Sequence, residues 1–192
     1  MAVQWSLHLA AWIIQDGNYG DIARGDRLEA AVEFGCGTES LTLAVANEPS
    51  ARHLGDCSYE VVGRVVVVEP DVWVIDIGIG VFNEHKPPPG LHAGDTISGR
   101  LELGVDPFFY FERLGKRPTM PPLIYTWHVA GIVRQTAPFV DVGPRMRARD
   151  PSKLGWESVE QTDAWVHDGG HGEYVLRCEL QADAPKRARG AS

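Results

Sequence analysis

The stretch Gly25-Asp26-Arg27-Leu28-Glu29-Ala30-Ala31-Val32-Glu33-Phe34-Gly35 returns as Gly94-Asp95-Thr96-Ile97-Ser98-Gly99-Arg100-Leu101-Glu102-Leu103-Gly104. Each copy opens on a turn-forming Gly-Asp pair and closes on Gly. Between those ends Leu28, Ala30, Val32 and Phe34 alternate with more polar residues, as do Ile97, Gly99, Leu101 and Leu103. That is the period of a strand with one buried face. Trp12-Ile13-Ile14 stands before the first copy as Trp73-Val74-Ile75 stands before the second. The pattern predicts a sheet protein, and it fits either a duplicated strand-loop-strand element or two chance occurrences of a Gly-Asp turn that is common in barrels.

Working outward, Val3 to Ile14 reads as one long strand, stopped by the polar residues Gln15 to Asp21. Thr38 to Ala46 alternates through Leu41, Leu43 and Val45 as another. Asn47 to Cys57, with Pro49 and Gly55, reads as a long connection, so a sub-unit boundary would fall near 47–57. Tyr59 to Val68 contains Val65-Val66-Val67-Val68, too β-branched for a comfortable helix, and a strand covered on both faces is expected. Glu69-Pro70-Asp71 turns the chain into the alternating run Val72 to Phe82. Pro87-Pro88-Pro89 marks a surface loop. Pro107 to Arg113 is expected as an aromatic strand, Leu123 to Gln135 as a further strand, and Gly143 to Gly155 as a basic loop. A last hairpin is expected from Glu160 to His167 and Glu173 to Gln181, joined by Asp168-Gly169-Gly170-His171-Gly172. Residues 1–183 are thus expected as a single all-β domain, a barrel or sandwich with extra amino- and carboxy-terminal hairpins, and 184–192, which lacks an apolar anchor, as a disordered tail.

The run from Tyr59 to Leu103 resembles the opening of an oligonucleotide/oligosaccharide-binding (OB) barrel of the S1-like kind. A long strand with a central glycine, Gly63, is followed by a strand ending in Asp76-Ile77-Gly78, and a loop leads to the Gly94-Asp95 strand. The resemblance implies a fold; it names no ligand.

The chain has 192 residues, 44% apolar, and a formal charge of −8, enough to bury an independent core. Residues 1–100 hold 6 Lys/Arg against 14 Asp/Glu, so the acidity lies in the first half. Such a field disfavours nucleic acid and anionic membranes as partners. Three cysteines, Cys36, Cys57 and Cys178, form no CxxC pair; neither a disulfide framework nor a zinc site is indicated. No stretch approaches the roughly 20 apolar residues of a membrane span, and Met1 leads into Val3 to Leu9 without a basic leader. A cytoplasmic protein without membrane contact or cofactor is expected.

No nucleophile elbow, phosphate loop or dinucleotide fingerprint occurs. His167, Asp168, His171 and Glu173 are metal-capable, but the glycines among them favour a turn over a common ligand direction, and no metal is expected. The remaining candidate for binding is aromatic and basic: Phe109, Phe111, Arg113, Lys116 and Arg117, with Trp127 and His128 on the next strand. Rings beside cations are what single-stranded nucleic-acid binders present. The acidic balance favours instead a non-enzymatic binding or interaction module with a protein or small-molecule partner, the alternatives being an OB-like single-strand binder and an enzyme with its site in a barrel mouth.

Overall fold

The structure, a computed structural model, describes residues 4–35, 41–45, 48–144 and 146–188. Cys36, Thr38 to Ser40, Ala46, Asn47, Arg145 and the tail residues 189–192 lie outside the described residues, as does Val3.

The strands in chain order are β1 (Gln4–Ala10), β2 (Arg27–Ala30), β3 (Val32–Gly35), β4 (Leu41–Leu43), β5 (Ser50–Gly55), β6 (Ser58–Val68), β7 (Trp73–Asp76), β8 (Gly80–Asn83) and β9 (Thr96–Val105). They continue as β10 (Tyr125–Gln135), β11 (Phe139–Gly143), β12 (Met146–Arg149), β13 (Trp156–Val159) and β14 (Glu173–Leu180). Two short helices, α1 (Ala11–Gln15) and α2 (Phe109–Glu112), are the α-helices among the described residues. The protein is an all-β barrel protein.

The ladders close a five-stranded mixed barrel. β6 pairs with β7 and β7 with β8, both antiparallel. β8 runs parallel to β3, β3 antiparallel to β9, and β9 returns antiparallel to β6. A second circuit has the same order. β10 pairs with β14 and β14 with β1, both antiparallel; β1 runs parallel to β9, β9 antiparallel to β3, and β2 pairs with β10. β2 and β3 are one strand interrupted at Ala31, whose carbonyl accepts the Asp106 N–H at 3.1 Å. Each circuit is therefore completed by a strand that also belongs to the other.

The repeat seen in the sequence is the source of this arrangement. Gly25 and Gly94 have φ of +94° and +97°, the left-handed region that glycine occupies without steric cost. Asp26 N–H donates to the Ala23 carbonyl and Asp95 N–H to the His92 carbonyl, both at 3.1 Å. Each aspartate carboxylate then accepts the first amide of its turn at 2.8 Å, from Ala23 and from His92. The turns also dock alike. Gly25 donates to Val129 O at 2.8 Å and Val129 to Asp26 O at 2.9 Å, while Gly94 donates to Val65 O and Val65 to Asp95 O, both at 2.8 Å. Both docking strands, β6 and β10, carry a bulge one step further on, between Val65 and Val67 and between Val129 and Gly131.

The two copies meet at Phe34↔Leu103, a pair of equivalent positions, flanked by Glu33↔Gly104 and Gly35↔Glu102, which are images of each other. A pseudo-twofold axis passes through this ladder. The equivalent halves are β6-β7-β8-β9 and β10-β14-β1-β2/β3, so the second half is split between the chain ends. This corrects the upstream match: Trp12 to Ile14 lies within α1, whereas Trp73 to Ile75 lies in β7. The counterpart of β1 is β8.

A continuous core runs through both circuits and includes Leu7, Leu9, Phe34, Trp73, Ile75, Leu101, Leu103, Trp127 and Leu176. A smaller cluster of Val72, Val74, Phe82, Tyr110, Leu114, Met120, Leu123 and Ile124 covers the outer face of β7 and β8. These two strands are thus covered on both faces, while Val66 of β6 is 42% exposed, so the two-sided covering expected of the valine run is not found there. The run expected from Val72 to Phe82 is broken by a turn in which the Asp76 carboxylate accepts the Gly78 amide at 2.9 Å. The stretch 47–57, expected as a connection, carries β5, paired with β6. Glu160 to His167 is not a strand; β14 pairs instead with β1 and β10. Within 184–188, expected to be disordered, Lys186 exchanges backbone bonds with Ile124 at 2.8 and 3.0 Å, and Ala188 packs on the smaller cluster. Gly143 to Gly155 is partly ladder: β11 and β12 form a separate hairpin.

Candidate functional site

A cavity of about 350 Å³ opens on the β3–β9 ladder, at the pseudo-twofold axis. Alternation sends Phe34 and Leu103 into the core, with 0% and 1% exposure; Glu33, Gly35, Glu102 and Gly104 lie on the other face. Each glutamate stands opposite a glycine, so the floor between the carboxylates is bare backbone. A Cβ on Gly35 would meet nothing within 4 Å, and one on Gly104 would approach His8 no closer than 3.5 Å.

The walls come from both halves. β1 contributes His8, whose Nε2 lies 2.5 Å from Glu173 Oε2 on β14. α1 buries Ala11, Ile13 and Ile14 and turns Trp12, 51% exposed, to the rim. On the opposite side Asn83 is fixed three ways: its Oδ1 accepts the Trp73 indole N–H at 3.2 Å and the His85 amide at 3.0 Å, and its Nδ2 donates to Phe34 O at 2.7 Å. This brings His85 to the cavity. Cys57 and Pro107 complete the lining, which contains no lysine or arginine.

Burial, then the neighbouring Glu84, raises the Glu33 carboxyl above its ordinary range, with His85 acting the other way. Burial and then Glu102 push the Cys57 thiol to about 11, so at neutral pH it is protonated and a poor nucleophile. Below the cavity Asp106, 0% exposed, accepts the amides of Phe109 and Tyr110 at 2.9 and 3.0 Å. Its burial raises it to about 7 despite those bonds. Glu84 is paired with Arg113. The site therefore combines partly desolvated acid, two imidazoles, an amide and an indole, a set that favours hydrogen-bond donors and cations and repels anions.

The sequence-predicted binding residues lie elsewhere. Pro107 to Arg113 is not a strand. Phe108 takes φ +83°, α2 follows, and Phe108 stacks on Phe111 with centroids 4.4 Å apart. Arg113 lies over the Phe109 ring at 5.3 Å while pairing with Glu84. Arg117 forks onto Asp71 at 2.7 and 2.8 Å and reaches Glu69 at 2.6 Å. Only Lys116 of the three cations is without an ion pair among the described residues. Trp127 is fully buried and donates to Ala30 O at 3.2 Å; His128 sits in the ladder between Glu179 and Arg27.

The metal-capable set is dispersed as well. His167 Nδ1 is 2.9 Å from the Tyr174 hydroxyl, Asp168 pairs with Arg149 at 2.9 Å, His171 packs edge-on to Phe139, and Glu173 bonds His8. No group of three or more potential ligands converges among the described residues.

Sequence reading had passed over Glu33, Glu102, Gly35, Gly104, His8, Trp12, His85, Cys57 and Asn83 as site residues. The repeat itself carried the signal, since Glu33 matches Glu102 and Gly35 matches Gly104 in the two copies. No protein-family model, curated protein or solved structure matches the chain. No helix of the described residues is long and apolar enough to cross a membrane.

Proposed function

We propose that this protein is a non-enzymatic small-molecule-binding module made of two OB-like barrels fused about the pseudo-twofold axis, with its ligand in the axial cavity. The OB-like assignment is supported by the strand order. In each circuit a long bulged strand pairs with both the second and fourth strands, and the only parallel contact joins the third to the closing strand. The observation that carries the binding reading is the cavity floor: two glycines leave open backbone where any side chain would fill the space, between groups that remain available for hydrogen bonding. The aromatic-basic segment supports a nucleic-acid role less well, because Arg113 and Arg117 are held by carboxylates.

The test is a fragment screen by ligand-observed NMR, run on the native protein and on Gly35→Trp. The substitution places an indole into open space at ordinary φ and is expected to leave the fold intact. Fragments that bind the native chain and are lost in the variant support the cavity as the site. Hits that all survive in a folded Gly35→Trp protein, or no hits at all, overturn it.

A further inference from the structure

We propose that the ligand of the axial cavity is a short organic dication, with one ammonium end on Glu33 and the other on Glu102. This rests on the reading of the cavity as a binding site and goes on to name the chemistry that fits it. Neither carboxylate has a hydrogen bond or ion pair among the described residues, whereas each acidic group around them has a partner within the protein, although Glu84 Oε1 makes no hydrogen bond. Glu173 bonds His8, Glu84 pairs with Arg113, and Asp106 takes two backbone amides. The lining supplies no lysine or arginine that could serve Glu33 and Glu102 instead.

Their placement sets the ligand's shape. Glu33 stands opposite Gly104 and Glu102 opposite Gly35, so the two are diagonal neighbours across an antiparallel ladder, with backbones roughly 7–8 Å apart. A chain of a few methylenes with a charge at each end spans that separation over the glycine floor. Trp12 at the rim offers an apolar ring face that suits both methylenes and cations. Glu33 is partly desolvated beside Glu84, and an arriving ammonium is the partner that relieves this. Because the carboxylates occupy equivalent positions of the repeat, a ligand with two like ends matches the site better than one with a single charge.

Isothermal titration of the full chain separates these claims. The probes are 1,4-diaminobutane, the equally long neutral 1,4-butanediol and the dianion succinate, each at low and high salt. The diamine is expected to bind, to weaken as salt rises, to lose about tenfold affinity or more in Glu33→Gln and again in Glu102→Gln, and to fail in Gly35→Trp. The diol and succinate are expected not to bind. Diamine affinity unchanged in both glutamine variants, with the proteins folded by circular dichroism, overturns the proposal. So does binding of the diol or succinate that is lost in Gly35→Trp, although the cavity then remains the binding site. If the diamine does not bind while fragments are still lost in Gly35→Trp, the dication falls alone. If neither class responds, both readings fall.

Discussion

Asp106 shows how strongly one residue can couple this fold to pH. Its carboxyl is fully buried and faces Glu33 and Glu84, and these raise it from 3.8 to about 7 against the lowering effect of the Phe109 and Tyr110 amides it accepts. The folded state therefore holds this proton more tightly than the unfolded chain. The associated stability is full below about pH 4 and is lost as pH rises towards 7, on the order of a few kcal/mol. Asp106→Asn keeps an acceptor for the amides and removes the titration. Its melting temperature relative to native is expected to climb steadily between pH 4 and pH 8; parallel curves would refute this. Nothing in the local sequence Asp106-Pro107 announced the effect, because a carboxylate before a proline is most simply a turn cap. Its burial comes from contacts distant in sequence, among them the Tyr19 hydroxyl, which donates to Asp106 O at 3.1 Å, and the Ala31 carbonyl, which accepts its amide at 3.1 Å.

Among the elements, the aromatic segment was least legible in the sequence and β6 to β9 most. The latter follow from alternation and turn residues, which act locally. Phe108 to Phe111 has strand composition, but Asp106 captures two successive amides and Phe108 enters the left-handed region, and tertiary packing decides for a helical turn. The same docking uses up the cations. Charge reversal of Arg113, Lys116 and Arg117 to Glu would set new carboxylates beside Glu84, Glu69 and Asp71. The expected outcome is a lower melting temperature, together with no oligonucleotide retention at micromolar concentration by either the native protein or the variant. Salt-sensitive retention by the native chain that disappears in a still-folded triple variant would restore the nucleic-acid reading.

At the scale of the molecule, the repeat was visible but its consequence was not, because one half is cut by the chain ends and its strands are far apart in sequence. Pairing Gly25 with Gly94 by eye reveals the duplication; only the ladders reveal that β3 and β9 each close a circuit belonging partly to the other half. With that sharing the two circuits are expected to unfold as one cooperative unit, since neither can open without breaking the β3–β9 ladder at Phe34 and Leu103. Valine at Gly25 or at Gly94 forces a β-branched residue to positive φ, at a cost above about 1 kcal/mol in each case. Since the two turns dock in the same way on Val129 and Val65, both substitutions are expected to move the same single thermal transition by similar amounts. The sites lie in different circuits with no shared partner, so the double variant should show their sum within about 0.5 kcal/mol. Calorimetry that resolved two transitions, one shifted by Gly25→Val and the other by Gly94→Val, would mean that the barrels unfold independently and that the shared ladder does not bind them into one fold.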